Sequence, residues 1–576
     1  MVRIEYKNEV YMRFPQKMMY TSVMCAMMTT LVGCNDDDNT MAVVEPPQQL
    51  APATHYRVYP YLQNPTEDAI TIMWLSEDDQ AVTVSVDGVG EFKSQPMMAK
   101  DLNYSPAEVA YIHGEKNFGK IFADLEQDQA PTLPYQHRIR VTGLQADTQY
   151  TYRVGSDQAE PFVAQFKTAP LPQSRSAINF VVMADMETEP ESTQKTVAWA
   201  ANATALGGWK LASDPSTYQR QYLVDQTQGY QQTLKYAASL APRLWLIAGD
   251  LVEKGGRQLD WDEFWRHAAG EWGQLASSTP ILPVLGNHEN YWHPSEGGYS
   301  AAATRRAYDK WQSYFELPDN GASDPRHQER YYRVDYGPVS FIHLDSSNGD
   351  DSDPAKDTNL SLNGHEAQVP DFNVGSEQWR WAERQLADAR SKGQIIFVQW
   401  HHMAYGTGVH SLISGTAGIA NNQDSQSGLA MRVYHELMRQ YGVTAVFSGH
   451  NELLETVTLD GVHYWDVGIA GDGLRGPGYV PTTDYVPFDL LPEQAQATHW
   501  SAHGDANEVW QGSRLVAGGK HYGFLHVKVE PSTAGQYRVI FEPRYSLPVS
   551  NAKGQATGEF SQEIYDHVIQ VNVAAK

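Results

Sequence analysis

Apolar and polar residues change rhythm once along this chain. From about His55 to Pro170, "HYRVYPYLQ", "AITIMWLS", "AVTVSV", "YQHRIRVTGL", "TQYTYRVG" and "PFVAQFKT" are short, rich in β-branched and aromatic residues, and bounded by polar turns. That texture predicts strands throughout. After "FKTAP" the pattern becomes continuous apolar runs separated by helical stretches. "AINFVVMAD", "RLWLIAGD", "PILPVLGN", "VSFIHLD", "QIIFVQWHH" and "VTAVFSGH" read as strands buried on both faces. "SEQWRWAERQLADARSKG" and "SGLAMRVYHELMRQYG" are apolar at helical spacing and end in glycine, a helix stop. Strands alternating with helices predict an α/β layered domain over 176–550. Late strands are expected from His463 to Gly478 and in "KHYGFLHVKVE" and "YRVIFEPRYSL", with 551–576 a terminal strand or tail. Asn348 to Phe372, Gly406 to Gly428 and Gly476 to Gly519 are long loops, which in such a domain more often serve function than core.

Within the first part, Trp74 is a candidate core residue. "LQADTQY", Leu144 to Tyr150, resembles the tyrosine corner of an immunoglobulin-like sandwich. Residues 55–170 are therefore read as an all-β, fibronectin type III-like domain with Glu91 to Pro134 inserted between its strands. The expected role is structural or spacing, with no chemistry of its own.

The 576-residue length requires two or more domains, and the 41% hydrophobic share is enough for real cores. A formal charge of −26 makes free nucleic acid and anionic membrane surfaces poor partners for the body. No nucleic acid partner is expected. An acidic protein still binds a phosphorylated substrate where metal ions supply local positive charge. At the N-terminus, Arg3, Lys7, Arg13 and Lys17 precede an apolar run from Met18 to Val32. This run is shorter than the roughly 20 residues a spanning helix needs, so a signal segment over 1–34 is expected. Its end, "LVGC", resembles the bacterial lipoprotein box, in which Cys34 carries lipid and becomes the first mature residue. Residues 35–54 then read as a flexible tether. The expected location is exported, on a bacterial membrane facing periplasm or exterior, held by the lipid anchor alone. Cys25 and Cys34 are the two cysteines, so the mature body would hold no thiol. That excludes disulfides, zinc–thiolate sites and cysteine nucleophiles.

The candidate chemistry sits at strand ends. "FVVMAD" gives Asp185, with Glu187 two residues on; "LIAGD" gives Asp250; "PVLGNHE" gives Asn287 and His288. "VQWHH" gives His401, and "VFSGHNE" gives His450 and Glu452. Carboxylate, amide oxygen and imidazole are the donors that hard or borderline divalent ions take. On the ends of adjacent strands they would form the rigid rim that a site with two ions about 3.5–4 Å apart requires. Any one motif reads equally well as a turn; five in order, each directly after a buried strand, point to metal.

This order of motifs is similar to that of the calcineurin-like metallophosphoesterase superfamily. The preceding sandwich and the "VxxH" form at Val398 to His401 resemble purple acid phosphatases most. The resemblance covers Tyr59 to Leu547. It implies two β-sheets flanked by helices and a site holding two divalent ions, of Mn, Mg, Ca, Fe or Zn. It further implies hydrolysis of small phosphate esters by a metal-bound hydroxide attacking phosphorus in line with the leaving oxygen. By position, Asp250 would bridge both ions, Asp185 would hold the first, and Asn287, His401 and His450 the second. His288 would face the substrate as the catalytic acid, and Glu289 would orient it. Tyr405, in "HHMAY", would line the pocket, while His343 and Asp345 suit hydrogen-bonded structural roles.

Three positions depart from the family pattern. Glu187 stands where a His is usual, Glu253 where purple acid phosphatases place their iron-binding Tyr, and Glu452 where a second His closes the last motif. If all five acids, Asp185, Glu187, Asp250, Glu253 and Glu452, bound two divalent ions, the site would be net negative. Glu253 is therefore expected to stay off the ions. The remaining all-oxygen first set favours Mn, Mg or Ca over zinc. The competing reading is a binding or adhesion protein that keeps the fold without the reaction.

Overall fold

In the computed structural model, residues 56–114, 129–155, 160–188, 209–210, 218–219, 226–290, 301–347, 368–408, 411, 428–471, 496–502, 509–511, 514–517, 522–533, 535–550 and 556–574 are described. Cys34, the signal segment and the tether lie outside them, as do most of the three long loops.

The alternating stretch folds as a sandwich of two four-stranded sheets. Its strands are β1 (Tyr56–Gln63), β2 (Ala69–Ser76), β3 (Thr83–Val86), β4 (Gly90–Lys93), β5 (Met97–Met98), β6 (Tyr135–Thr142), β7 (Gln149–Gly155) and β8 (Phe162–Lys167). The sheet orders are β1-β2-β6-β5 and β4-β3-β7-β8. Trp74, fully buried, stacks on His137 in a core with Ile72, Val84, Val141 and Tyr152. The hydroxyl of Tyr150 accepts the N–H of Gln145 at 2.8 Å, as the tyrosine corner requires. The insertion is shorter than expected. Glu91–Lys93 belongs to β4 and Met97–Met98 to β5, both edge strands, so the extra chain begins near Ala99 and contains α1 (Pro106–Gly114).

The α/β domain then runs through β9 (Ile178–Met183), a short pair β10 (Trp209–Lys210) and β11 (Tyr218–Gln219), α2 (Gln226–Ser239), β12 (Leu244–Ile247), α3 (Gln258–Ala268), α4 (Leu275–Ser278), β13 (Ile281–Pro283) and α5 (Ala301–Tyr314). It continues with β14 (Tyr332–Tyr336), β15 (Val339–His343), α6 (Glu377–Ser391), β16 (Ile395–His402), α7 (His435–Tyr441), β17 (Ala445–Gly449), β18 (Leu454–Leu459), β19 (Val462–Val467) and β20 (Ala497–Ser501). A pair β21 (Val509–Gln511) and β22 (Arg514–Ala517) precedes β23 (Tyr522–Pro531), β24 (Gln536–Ser550), β25 (Ala556–Ile564) and β26 (Ile569–Ala574). The Ser376 hydroxyl caps α6, and Gly442 at φ 69° ends α7, the glycine stop that the sequence shows.

Two seven-stranded sheets result, ordered β13-β12-β9-β23-β24-β25 with β26 on β24, and β14-β15-β16-β17-β19-β18-β20. They face each other across aromatic rings. Phe180 of β9 lies 5.1 Å from Phe341 and 5.3 Å from Phe397 of the second sheet. Helices α6 and α7 cover the outer face of the second sheet, with Trp381, Leu386, Leu437 and Met438 buried there. β25 and β26 pair with β24, so 556–574 extends the first sheet.

Candidate metal centre

β12 pairs in parallel with β9 and β13, and β16 with β17, so the C-terminal ends of each group share an edge. Asp185, Asp250 and Asn287 follow three neighbouring strands of the first sheet; His401 and His450 come from two of the second. The sequence suggested one rim. The structure instead closes the site between two facing sheet edges. Beneath it, Gln399 Nε2 donates to the Ile247 carbonyl and ties the sheets together.

The backbone is strained where these side chains emerge. Asp185 and Asp250 both have φ 51°, His450 has 78° and Glu452 has 51°. Non-glycine residues in the left-handed region cost on the order of 1–3 kcal/mol each and gather at functional sites. Hydrogen bonds hold the turns: Met186 N–H donates to the Asp250 carbonyl at 2.7 Å, and Asp185 N–H to that of Gly249 at 3.2 Å. The motif glycines are explained by contact. A Cβ on Gly286 would lie 2.0 Å from Asp250 Oδ1, on Gly449 2.2 Å from Asp185 Oδ2, and on Gly249 2.5 Å from His401 Nδ1. Only hydrogen fits at these positions.

His401 is fully buried and donates Nδ1–H to the Ala248 carbonyl at 2.8 Å. That fixes its tautomer and turns Nε2 inward, as an outer partner does for a metal-binding histidine. Nε2 sits 2.8 Å from Asp250 Oδ2 and 3.0 Å from Asn287 Oδ1. Donor atoms of Asp250, His401 and His450 lie within 4.8 Å of one another, and so do those of Glu187, Asp250 and His288. Asp250 is common to both groups. Oxygen and imidazole donors converging on two points suit two divalent ions, and the donor set fits. Asp185 accepts the His450 N–H on both oxygens, at 3.0 and 2.9 Å. Among the described residues neither it nor Glu452 joins the two groups, although Gly468 approaches both.

The electrostatics are those of a crowded acidic pocket. Burial, with Asp250 nearby, pushes the Asp185 carboxyl up to about 7. Burial acts on Asp250 in the same sense, but His401 and His288 pull it down to about 2. Burial works against the charged imidazoles, yet Asp250 raises His401 to about 9, and Asp250 with Glu253 raises His288 to about 10. His288 donates Nδ1–H to the Glu253 carbonyl at 2.6 Å, which leaves Nε2 for the site. The Glu253 carboxylate is paired with Lys254 at 3.0 Å.

Several residues have roles that the sequence did not indicate. Glu289, expected to orient His288, is fully buried and accepts the N–H groups of Gly286, Asp250, Leu251 and Val252 at 2.7, 2.9, 2.7 and 3.2 Å. It clasps the two turns together. Tyr405, expected to line the pocket, packs its ring against His435, Tyr464 and the Arg432 guanidinium in the second core. Asp345, expected in a structural role, pairs with Arg330 at 2.9 Å. His343, expected to be hydrogen-bonded, is buried and stacks on Tyr332 at 4.2 Å, with neither ring nitrogen hydrogen-bonded among the described residues. Ser346 receives the N–H groups of His401 and His402 and bonds His402 Nδ1 at 2.9 Å. Asp466, near the end of β19, has its carboxyl held well above the usual range by burial and by Asp185. The strand-end rule that found the other acids also reaches "WDVGIAG".

Comparison with known proteins agrees with this geometry. Residues 181–451 match the family described as calcineurin-like phosphoesterase, and residues 50–168 the purple acid phosphatase N-terminal domain. An uncharacterized protein of Mycobacterium tuberculosis is 26% identical over 374 residues, 64% of this chain and 56% of that protein. Purple acid phosphatase 15 of Arabidopsis thaliana is 22% identical over 318 residues, 54% of this chain and 48% of its own length. A third relative, 21% identical over 54% of this chain, is named probable inactive purple acid phosphatase 27 of the same plant. The chain thus spans about half the length of the curated relatives it matches. Among solved structures, a purple acid phosphatase from yellow lupin seeds superposes with TM-score 0.52 at 16% identity, over 84% of this chain and 72% of that one. PhoD does so with TM-score 0.51 at 12% identity, over 92% and 94%. The chain therefore has the metallophosphoesterase fold with an N-terminal all-β domain.

Proposed function

We propose that this chain is a metal-dependent phosphoric ester hydrolase acting on small phosphorylated substrates, exported and held to a membrane by lipid on Cys34. The observation that carries the reading is the sharing of Asp250 between two convergent donor groups, one with His401 and His450 and one with Glu187 and His288. Asn287, His401 and His450 would hold one divalent ion, Asp185, Glu187 and Glu452 the other, and Asp250 both. Bound there, such ions polarise phosphoryl oxygens and acidify a water. The protein's own contribution is orientation. Ala248 and Glu253 carbonyls fix the rings of His401 and His288, and the clasp of Glu289 sets the Asp250 turn. His288, tethered through Nδ1 to the Glu253 carbonyl and with the Glu253 carboxylate 3.8 Å away, would present Nε2 to the leaving oxygen as the proton donor.

The test is turnover of an aryl phosphate monoester and a diester, side by side, by protein lacking residues 1–34 with added Mn, Mg, Zn or Ca. Hydrolysis with at least one ion is expected, and the ratio between esters names the substrate class. The acidic departures Glu187, Glu253 and Glu452, and a relative named as probably inactive, favour the second reading of a binding protein. No turnover with any ion would select it.

A further inference from the structure

We propose that Glu108, in the insertion of the N-terminal domain, is a positioning residue for His288, so that the sandwich completes the site rather than only spacing it. This rests on the hydrolase reading above. The segment from Asp250 to the first residues of α3 belongs to no strand, and N–H groups at both its ends find side-chain acceptors. Asp250, Leu251 and Val252 donate to Glu289. At the far end, Gln258 and Leu259 donate to Glu108 Oε1 at 2.6 and 3.2 Å. Two carboxylates thus clasp the turn, one from the site and one from another domain. The other oxygen of Glu108 accepts the N–H of Ser105 at 2.7 Å and closes a capping box on α1. One buried carboxylate therefore faces the N-termini of α1 and α3, where negative charge is favoured.

The rest of the insertion follows the same path. Lys310 of α5 bonds the carbonyls of Asp101 and Asn103 and the side chain of Gln258, all within 2.9 Å. Ile112 packs on Leu259. Motion of α3 would reach the site through few bonds. Trp261, in its first turn, donates Nε1–H to the Gly255 carbonyl at 2.7 Å. Gly255 N–H donates to the His288 carbonyl at 2.8 Å, and a Cβ on Gly255 would meet the Glu289 backbone at 2.7 Å. Two residues earlier, the Glu253 carbonyl holds His288 Nδ1. Asp250 is fixed separately by Glu289, so release of Glu108 should disturb His288 and leave the ion ligands in place.

The experiment compares full-length E108Q, W261F and S105A with the parent. Glutamine keeps the size of Glu108 but presents an amide in place of the carboxylate. W261F removes the indole donor to Gly255 together with part of a buried ring that packs on Trp311, Tyr314 and Phe315. S105A loses the hydroxyl on the α1 side and leaves the α3 contacts intact. E108Q and W261F are expected to lose roughly ten- to a hundred-fold in kcat with KM and Mn affinity near the parent's, because small misplacements cost that much. They should also show faster amide hydrogen exchange over 253–257, while S105A matches the parent in both. Unchanged kcat and exchange in E108Q and W261F would overturn the proposal. So would loss of kcat shared with S105A, or loss of Mn affinity alongside kcat, since either marks a general structural role. If the parent hydrolyses no ester, the hydrolase reading fails, and exchange over 253–257 still decides whether Glu108 holds the turn.

Discussion

Asp250 combines left-handed backbone, full burial and a carboxyl that His401 and His288 pull down to about 2. A role as the shared ion ligand accounts for the combination, and its oxygens already draw the His288 backbone N–H to 3.0 Å and His401 Nε2 to 2.8 Å. Asp250→Asn should therefore abolish turnover and lower the affinity for both ions together while the fold persists. Atomic absorption and a melting curve check this; lost melting temperature with ion content intact would count against the role. His288 differs, because its ring is tethered through Nδ1 and the amide of Asn287 reaches the His401 side. His288→Ala should retain both ions and slow the reaction by roughly the 10²–10⁴ of a lost general acid. Ion loss in that variant would make His288 a ligand, the alternative that its grouping with Glu187 and Asp250 raises.

At the scale of elements, steric room around the turns matters as much as the ligands. Gly286 is not left-handed, so alanine's backbone preferences do not bar it; the obstacle is Asp250 Oδ1 at 2.0 Å from the new Cβ. Gly286→Ala should lower Mn affinity and turnover in step. Gly321→Ala, strained at φ +69° but with open space around it, should reduce stability and leave turnover alone. Parallel turnover in the two variants would show that contact with Asp250 is not what Gly286 avoids. The strands bearing these turns were legible because a strand buried on both faces is a continuous apolar run, and β9, β12 and β16 are such runs. What the runs lack is pairing information. Nothing in "AINFVVMAD" says that β9 pairs with β23, more than three hundred positions later, or that β16 lies in the other sheet. The same limit hid the edge strands β4 and β5, whose exposed residues carry little apolar signal. It also hid Glu289 and Glu108, because a carboxylate's backbone partners follow from tertiary proximity.

At the scale of the whole molecule, the proposed lipid anchor and the charges clustered at the site can each be tested. If Cys34 carries lipid, Cys34→Ser should move the full-length protein from the membrane to the soluble fraction, and retention of the serine variant would refute the anchor. The acids and histidines gathered at the site make stability depend on ions and pH together. His288 and His401 are pushed up to about 10 and about 9, and Asp185 and Glu289 to about 7. For all four the folded chain binds its proton more tightly than the unfolded chain. Their stabilisation is fully present below the unfolded values, about 4 for the acids and about 6.5 for the histidines, and is lost as pH rises through the folded ones. Asp250 has the opposite sign, but its contribution is complete above about pH 4 and constant thereafter. These site groups therefore weaken the ion-free protein as pH rises from about 5 to about 9. Buried His137, His343, His463, His526 and Lys310, whose pKa values burial pulls down, act in the opposite sense. The site is therefore read from the gap between ion-free and Mn-loaded protein, in which groups away from the site cancel. Divalent ions take the place of these protons and bind best when the ligands are deprotonated, so added Mn should recover more stability at about pH 8 than at about pH 5. Melting curves with chelator and with Mn at several pH values measure the gap between the two states. A gap that stays constant or narrows toward high pH would mean that the clustered acids and histidines do not hold the ions.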